Sequence, residues 1–255
     1  MKKMGLFMMV VVVAGLSFVL VPWIGYGQDA VIKDTAVFDK AYIPALFLTS
    51  QGKVEESQIA MKFLKEEWAA FKKKYYSAQP NDAQWKKDMD KVEELMMAAD
   101  TTVAGGKELR SAHEDMEAAG AILKDARQRN KIEYFPDYLA EFHGIMEEIF
   151  EDAANWKPET LSDKDMQTIQ KVLPDGLEAW EAAKKANFNP EPYGFNSEKV
   201  QKMRNLHKAE EDALLALQEA LKKGDKAEII KHALSLKPKY AAIYLWFGDF
   251  ERLKK

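Results

Sequence analysis

Cysteine is absent from the 255-residue chain. That excludes disulfides, a thiolate nucleophile, cysteine-ligated iron–sulfur clusters and covalent haem attachment through CxxCH. Histidine is scarce, with four residues, so any site needing imidazole draws on a short set. No GxSxG, P-loop, GxGxxG or HExxH run occurs, which leaves hydrolase, nucleotide-binding and zincin chemistry without a motif. A basic face is also missing. The chain has 37 Lys and Arg against 41 Asp and Glu, and its longest basic run is Lys72-Lys73-Lys74. Nucleic acid is therefore not an expected partner, because phosphate binding needs concentrated positive charge.

What is present is a hydrophobic fraction of 47% beside 31% charged residues, the composition of a chain that can bury a core. Residues 1–27 have a basic head (Lys2, Lys3), an apolar run over 6–21 and a break at Pro22. This is the pattern of a secretory signal ending at Gly27. The alternative is a retained anchor, since residues 5–24 form a stretch just long enough to cross a bilayer. Either way the expected location is periplasmic or secreted, with membrane contact only through this segment.

Beyond it, apolar residues recur with the 3.6-residue period and no two-residue alternation appears, so the expected fold class is all-α. A short apolar stretch over 36–48 contains Pro44. Helices are predicted over 54–76, 85–99, 109–127 and 136–153. In the second half they are predicted from Ser162 onward (broken or kinked at Pro174), over 200–221, and over 229–250 with a disturbance at Pro238. Segments 50–68 and 162–180 match in register. Val54, Met61 and Trp68 align with Met166, Leu173 and Trp180, and a Lys pair follows each Trp. This predicts tandem helical-bundle units over 28–156 and 157–255, with Trp68 and Trp180 as core anchors.

The run Leu217-Gln218-Glu219-Ala220-Leu221-Lys222-Lys223-Gly224-Asp225, followed by a helix carrying Lys237-Pro238-Lys239-Tyr240, resembles the heme-free relatives of periplasmic four-helix-bundle cytochromes of the c-prime type. The resemblance covers about a fifth of the chain. It implies a bundle fold and, without CxxCH, no covalent haem.

Three of the four histidines have a glutamate four residues on: His113–Glu117, His143–Glu147 and His207–Glu211. Residues at this spacing share a helix face. If the hairpin between the first two helices pivots near Asn130, His113 comes level with Glu147 and Glu117 with His143. These four side chains are the candidate ligands for a transition metal such as zinc, iron or copper. Met116 and Met146 are near enough in register to add soft ligands. The bland alternative is that each pair makes only an ordinary His–Glu contact. The expected function is a non-enzymatic exported binding or accessory protein taking a metal ion or a protein partner. The alternative is a cofactor-free helical interaction module, an adaptor or subunit of an envelope complex. Noncovalent haem held by His and Met is a third reading.

Overall fold

The computed structural model describes residues 27–254, so the proposed signal segment lies almost wholly outside the described residues. Within them are eight α-helices and no strand: α1 (Gln28–Ser50), α2 (Val54–Tyr75), α3 (Trp85–Ala104), α4 (Leu109–Arg129), α5 (Phe135–Ala154), α6 (Asp163–Lys185), α7 (Ser197–Lys223) and α8 (Lys226–Tyr244). Short 3₁₀ turns occupy Glu191–Tyr193, Leu245–Phe247 and Glu251–Lys254. The all-α expectation holds. None of these helices is long and apolar enough to cross a membrane.

Local chemistry sets the helix ends. Ser162 caps α6, accepting from the Asp165 N–H while the Asp165 carboxylate accepts from the Ser162 N–H, a reciprocal capping box. Asn196 and Asp225 cap α7 and α8 one way, their side chains accepting from the N–H of Lys199 and of Glu228. Gly224 adopts φ +68° between those helices, a left-handed position that a residue with a Cβ disfavours. Pro136 lies in the first turn of α5, where no intrahelical N–H is needed.

Three prolines sit inside helices without ending them. Pro174 and Pro238 are exposed, so the carbonyls they leave unpaired are on or near solvated surface. Pro44 is buried and needs another solution. It offers no N–H to the Lys40 carbonyl one turn back, and the backbone N–H of Asp249 donates to that oxygen at 2.9 Å. The segment after α8 thus completes the backbone of α1. Arg252 fastens the same segment to α2, pairing with Glu67 at 2.7 Å and lying over the Phe63 ring.

The helices pack as two successive four-helix sets. In the first, α1 packs on α2, α2 on α3, α3 on α4 and α4 back on α1. In the second, α5, α6, α7 and α8 close in the same order. By these contacts the first set comprises α1 to α4 and the second α5 to α8. Helix α5 opens the second set because its buried stripe of Leu139, Phe142, Met146 and Ile149 is matched there: Phe142 meets Trp180 at 4.7 Å and Tyr240 at 6.1 Å between ring centroids. The stripe of α4 (Ala112, Met116, Ala119, Leu123) is already covered by α1 and α3. Trp68 and Trp180 are core residues of their respective sets.

A candidate ligand cleft between the two four-helix sets

The two sets do not meet flush. Between α1 and α4 on one side and α5 and α8 on the other lies a cleft of about 600 Å³. Its deep part is a buried polar network. Arg127 of α4 grips Asp137 of α5 in bidentate fashion, Nε to Oδ2 at 2.8 Å and Nη2 to Oδ1 at 2.5 Å. Tyr134, just before α5, donates its hydroxyl to Asp39 of α1 at 2.6 Å. Both contacts tie one set to the other. Burial pushes Asp39 up to about 6, against the opposing pull of the Arg127 guanidinium and the Tyr134 hydroxyl. Burial also disfavours the Arg127 charge, but Asp137 and Asp39 outweigh it and hold the guanidinium above its ordinary range.

The four predicted ligands all line this cleft. On α4, His113 donates Nδ1–H to the Leu46 carbonyl of α1 at 3.0 Å, which turns Nε2 toward Glu117 Oε1 at 3.2 Å. The His113 contact holds Glu117 below the usual carboxylate range despite partial burial. On α5, His143 stacks on Tyr240 at 5.0 Å and its Nε2 stands 3.4 Å from Glu147 Oε2. That contact is too poorly aligned to be a hydrogen bond, so Oε2 is buried without a hydrogen-bond partner among the described residues. The other oxygen of Glu147 accepts from Lys237 Nζ of α8 at 2.5 Å. Burial alone would raise Glu147, yet His143 and Lys237 bring it down to about 2.

Each histidine is thus engaged by the glutamate on its own helix. Neither crossed pair, His113–Glu147 or Glu117–His143, forms an ion pair. Among the described residues no three His, Asp or Glu side chains converge as a metal-holding group. Met116 and Met146 are fully buried inside their separate sets and do not line the cleft, so they add no soft ligands. The third pair also dissolves: Glu211 binds Lys184 at 2.5 Å, and His207 stacks near Trp180 and Phe135. Burial, then Lys184, lowers His207 to about 4, and its Nε2 has no hydrogen-bond partner among the described residues. His232 pairs backwards along its helix with Glu228 at 3.0 Å.

Sequence reasoning missed the deeper groups. Asp39 interrupts an apolar stretch, and such a lone acid facing the core was the available signal. Arg127, at the end of a predicted helix, gave no such signal; only its ion pair with Asp137 at the start of α5 reveals it. No protein family, characterised protein or solved structure matches the chain at a significant level.

Proposed function

We propose that the chain is an exported, non-enzymatic binding protein whose small-molecule ligand lodges in the cleft between the two four-helix sets. The supporting observation is the cleft itself. Its volume of about 600 Å³ falls in the range of small-molecule sites, and polar groups from α1, α4, α5 and α8 converge on it among apolar and aromatic side chains. A binding role fits the way its charged groups are used. His113, His143 and Lys237 are held by neighbouring glutamates, and Arg127 and Tyr134 join the two sets. The test is native mass spectrometry of the exported protein for a retained ligand, together with Gly144→Phe. Gly144 lines the cleft and an added Cβ there meets nothing within 4 Å. A co-purified ligand lost in this variant, with helicity intact, supports the cleft. Ligand retention that is indifferent to filling it removes the proposal.

A transition metal is the second reading, and one observation favours it. The Nδ1 of His113 is fixed by a backbone carbonyl, as in many metal-ligating histidines, while both His–Glu pairs line one cavity. Binding requires the α4 and α5 faces to close on the ion, because the pairs stand apart as they are. Metal analysis and titration test it. Stoichiometric zinc, copper or iron should vanish in the His113→Ala/His143→Ala double variant, and no retained metal ends this reading.

A further inference from the structure

The charges in the cleft do not balance. Six carboxylate side chains line it (Asp39, Glu117, Asp137, Glu147, Glu148 and Glu151) against three permanent cations, Lys124, Arg127 and Lys237. All three cations are already committed. Arg127 is taken by Asp137, Lys237 by Glu147, and Lys124 by Glu141, which lies outside the cleft, at 2.5 Å. Of the remaining acids, Glu117 is engaged only by His113, an imidazole that is a cation only when protonated, and Asp39 has only a hydroxyl partner; among the described residues Glu148 forms no ion pair, and Glu151 reaches Arg110 only at 3.8 Å. A carboxylate or phosphate ligand would therefore meet excess negative charge and no free cation.

The uncharged groups point the same way. Tyr240 is 5% exposed and lines the cleft, yet its hydroxyl forms no hydrogen bond with any described residue, and neither does that of Tyr244. Their rings stack at 5.5 Å, and the His143 ring also stacks on Tyr240, at 5.0 Å. Burial first, then the fields of Tyr42, Glu147 and Glu117, holds the Tyr240 phenol well above its ordinary range. Phenol oxygens and aromatic faces beside carboxylates are the surroundings in which ammonium groups are stabilised. Leu46 and Phe47, both only partly buried, supply apolar surface on the opposite wall.

We infer that the cleft takes an organic cation, an amine or quaternary ammonium carried on an aromatic or apolar body. The charge lies toward Glu117 and the tyrosine hydroxyls, and the body lies against Leu46 and Phe47. The inference rests on the cleft being the ligand site. A bare metal ion is a poorer fit, since the space is far larger than an ion and no three ligands converge among the described residues.

The test is isothermal titration of the exported protein with three compounds sharing one ring system: tryptamine (cationic), tryptophol (neutral) and indole-3-acetate (anionic). Benzyltrimethylammonium serves as a second cation. The expected result is that tryptamine binds at least tenfold tighter than tryptophol and that indole-3-acetate does not bind measurably. Glu117→Gln should weaken tryptamine about fivefold while leaving tryptophol unchanged. Glu148→Gln, at an exposed position that the fold does not depend on, should produce a smaller loss in the same direction. Tryptophol or indole-3-acetate binding as tightly as tryptamine overturns the cation assignment and leaves the cleft standing. Failure of both cations also overturns it. The cleft itself then stands or falls on the native mass spectrometry and the Gly144→Phe variant.

Discussion

Glu210 offers the sharpest test of the packing inside the second four-helix set. It lies on α7 with 0% exposure, and neither carboxylate oxygen has a hydrogen-bond partner among the described residues. Burial raises it from 4.5 to about 8, and the Lys239 charge opposes this only in part. Because the folded value is the higher one, the native protein holds this proton over a range where the unfolded chain has released it. The stability associated with Glu210 is therefore fully present below pH 4.5 and is lost as pH rises through about 8. The whole loss amounts to about 5 kcal/mol, at 1.36 kcal/mol per tenfold change, and about 3 kcal/mol of it has accrued by pH 7. Glu210→Met retains similar volume and removes the titration. Urea unfolding followed by circular dichroism at several pH values should show the variant's advantage growing by about 5 kcal/mol from pH 4.5 to above pH 8. Glu210→Gln should show the same pH trend, offset by a constant penalty of about 1–3 kcal/mol for a buried unpaired amide. An advantage that does not change with pH would refute the reasoning, because it would mean that the native carboxyl titrates normally.

Arg127→Met leaves Asp137 buried without its cation and should destabilise by about 3–5 kcal/mol, read as a fall in denaturation midpoint. Replacing Arg127, Asp137 and Asp39 together with apolar residues should recover most of that loss while weakening ligand binding, as titration would report. Gly120→Ala drives a Cβ into the Tyr42 hydroxyl, which donates to the Met116 carbonyl at 2.8 Å. The expected loss is about 1–3 kcal/mol, seen by thermal unfolding. Deleting residues 249–255 strips the Lys40 carbonyl of its donor and α2 of Arg252, and should lower Tm by roughly 5 °C in a scanning calorimeter.

Where a feature depended on one helix alone, it was legible. Helix α2 shows its stripe of Met61, Leu64, Trp68 and Phe71 because only one of its faces is buried. Ser162 and Pro136 mark helix starts through chemistry confined to a single turn. Helix α1 shows in the sequence only as the short apolar stretch over 36–48. It packs against α2 and α4 and against the turns Glu191–Tyr193 and Leu245–Phe247, so buried positions surround it and no stripe stands out. Its Pro44 resembles a break because the N–H that makes the break unnecessary comes from Asp249, about two hundred residues away. The same division runs through the site. The contacts His113–Glu117 and His143–Glu147 follow from helical spacing, and both pairs do line one cleft. The expected crossing of the pairs assumed that α4 and α5 share a core. They instead belong to different sets and face each other across open space.

That separation explains why charged groups are buried where the sets join. A buried ion pair is a weak source of stability, because desolvation offsets most of its attraction, and apolar residues of similar volume do about as well. It does impose geometry. The Arg127 fork donates to both Asp137 oxygens in one orientation, and the Tyr134 hydroxyl reaches Asp39 only when α5 begins at one height relative to α1. An apolar joint would let two smooth bundles slide together and close the gap, since burying more apolar surface is favourable wherever shape permits. Polar ties between α4 and α5 and between α1 and Tyr134 hold the sets at a fixed spacing, and the third tie, Asp249 to Lys40, fixes the far end of the second set against the same helix. The cleft stays open because the contacts beneath it demand direction as well as proximity.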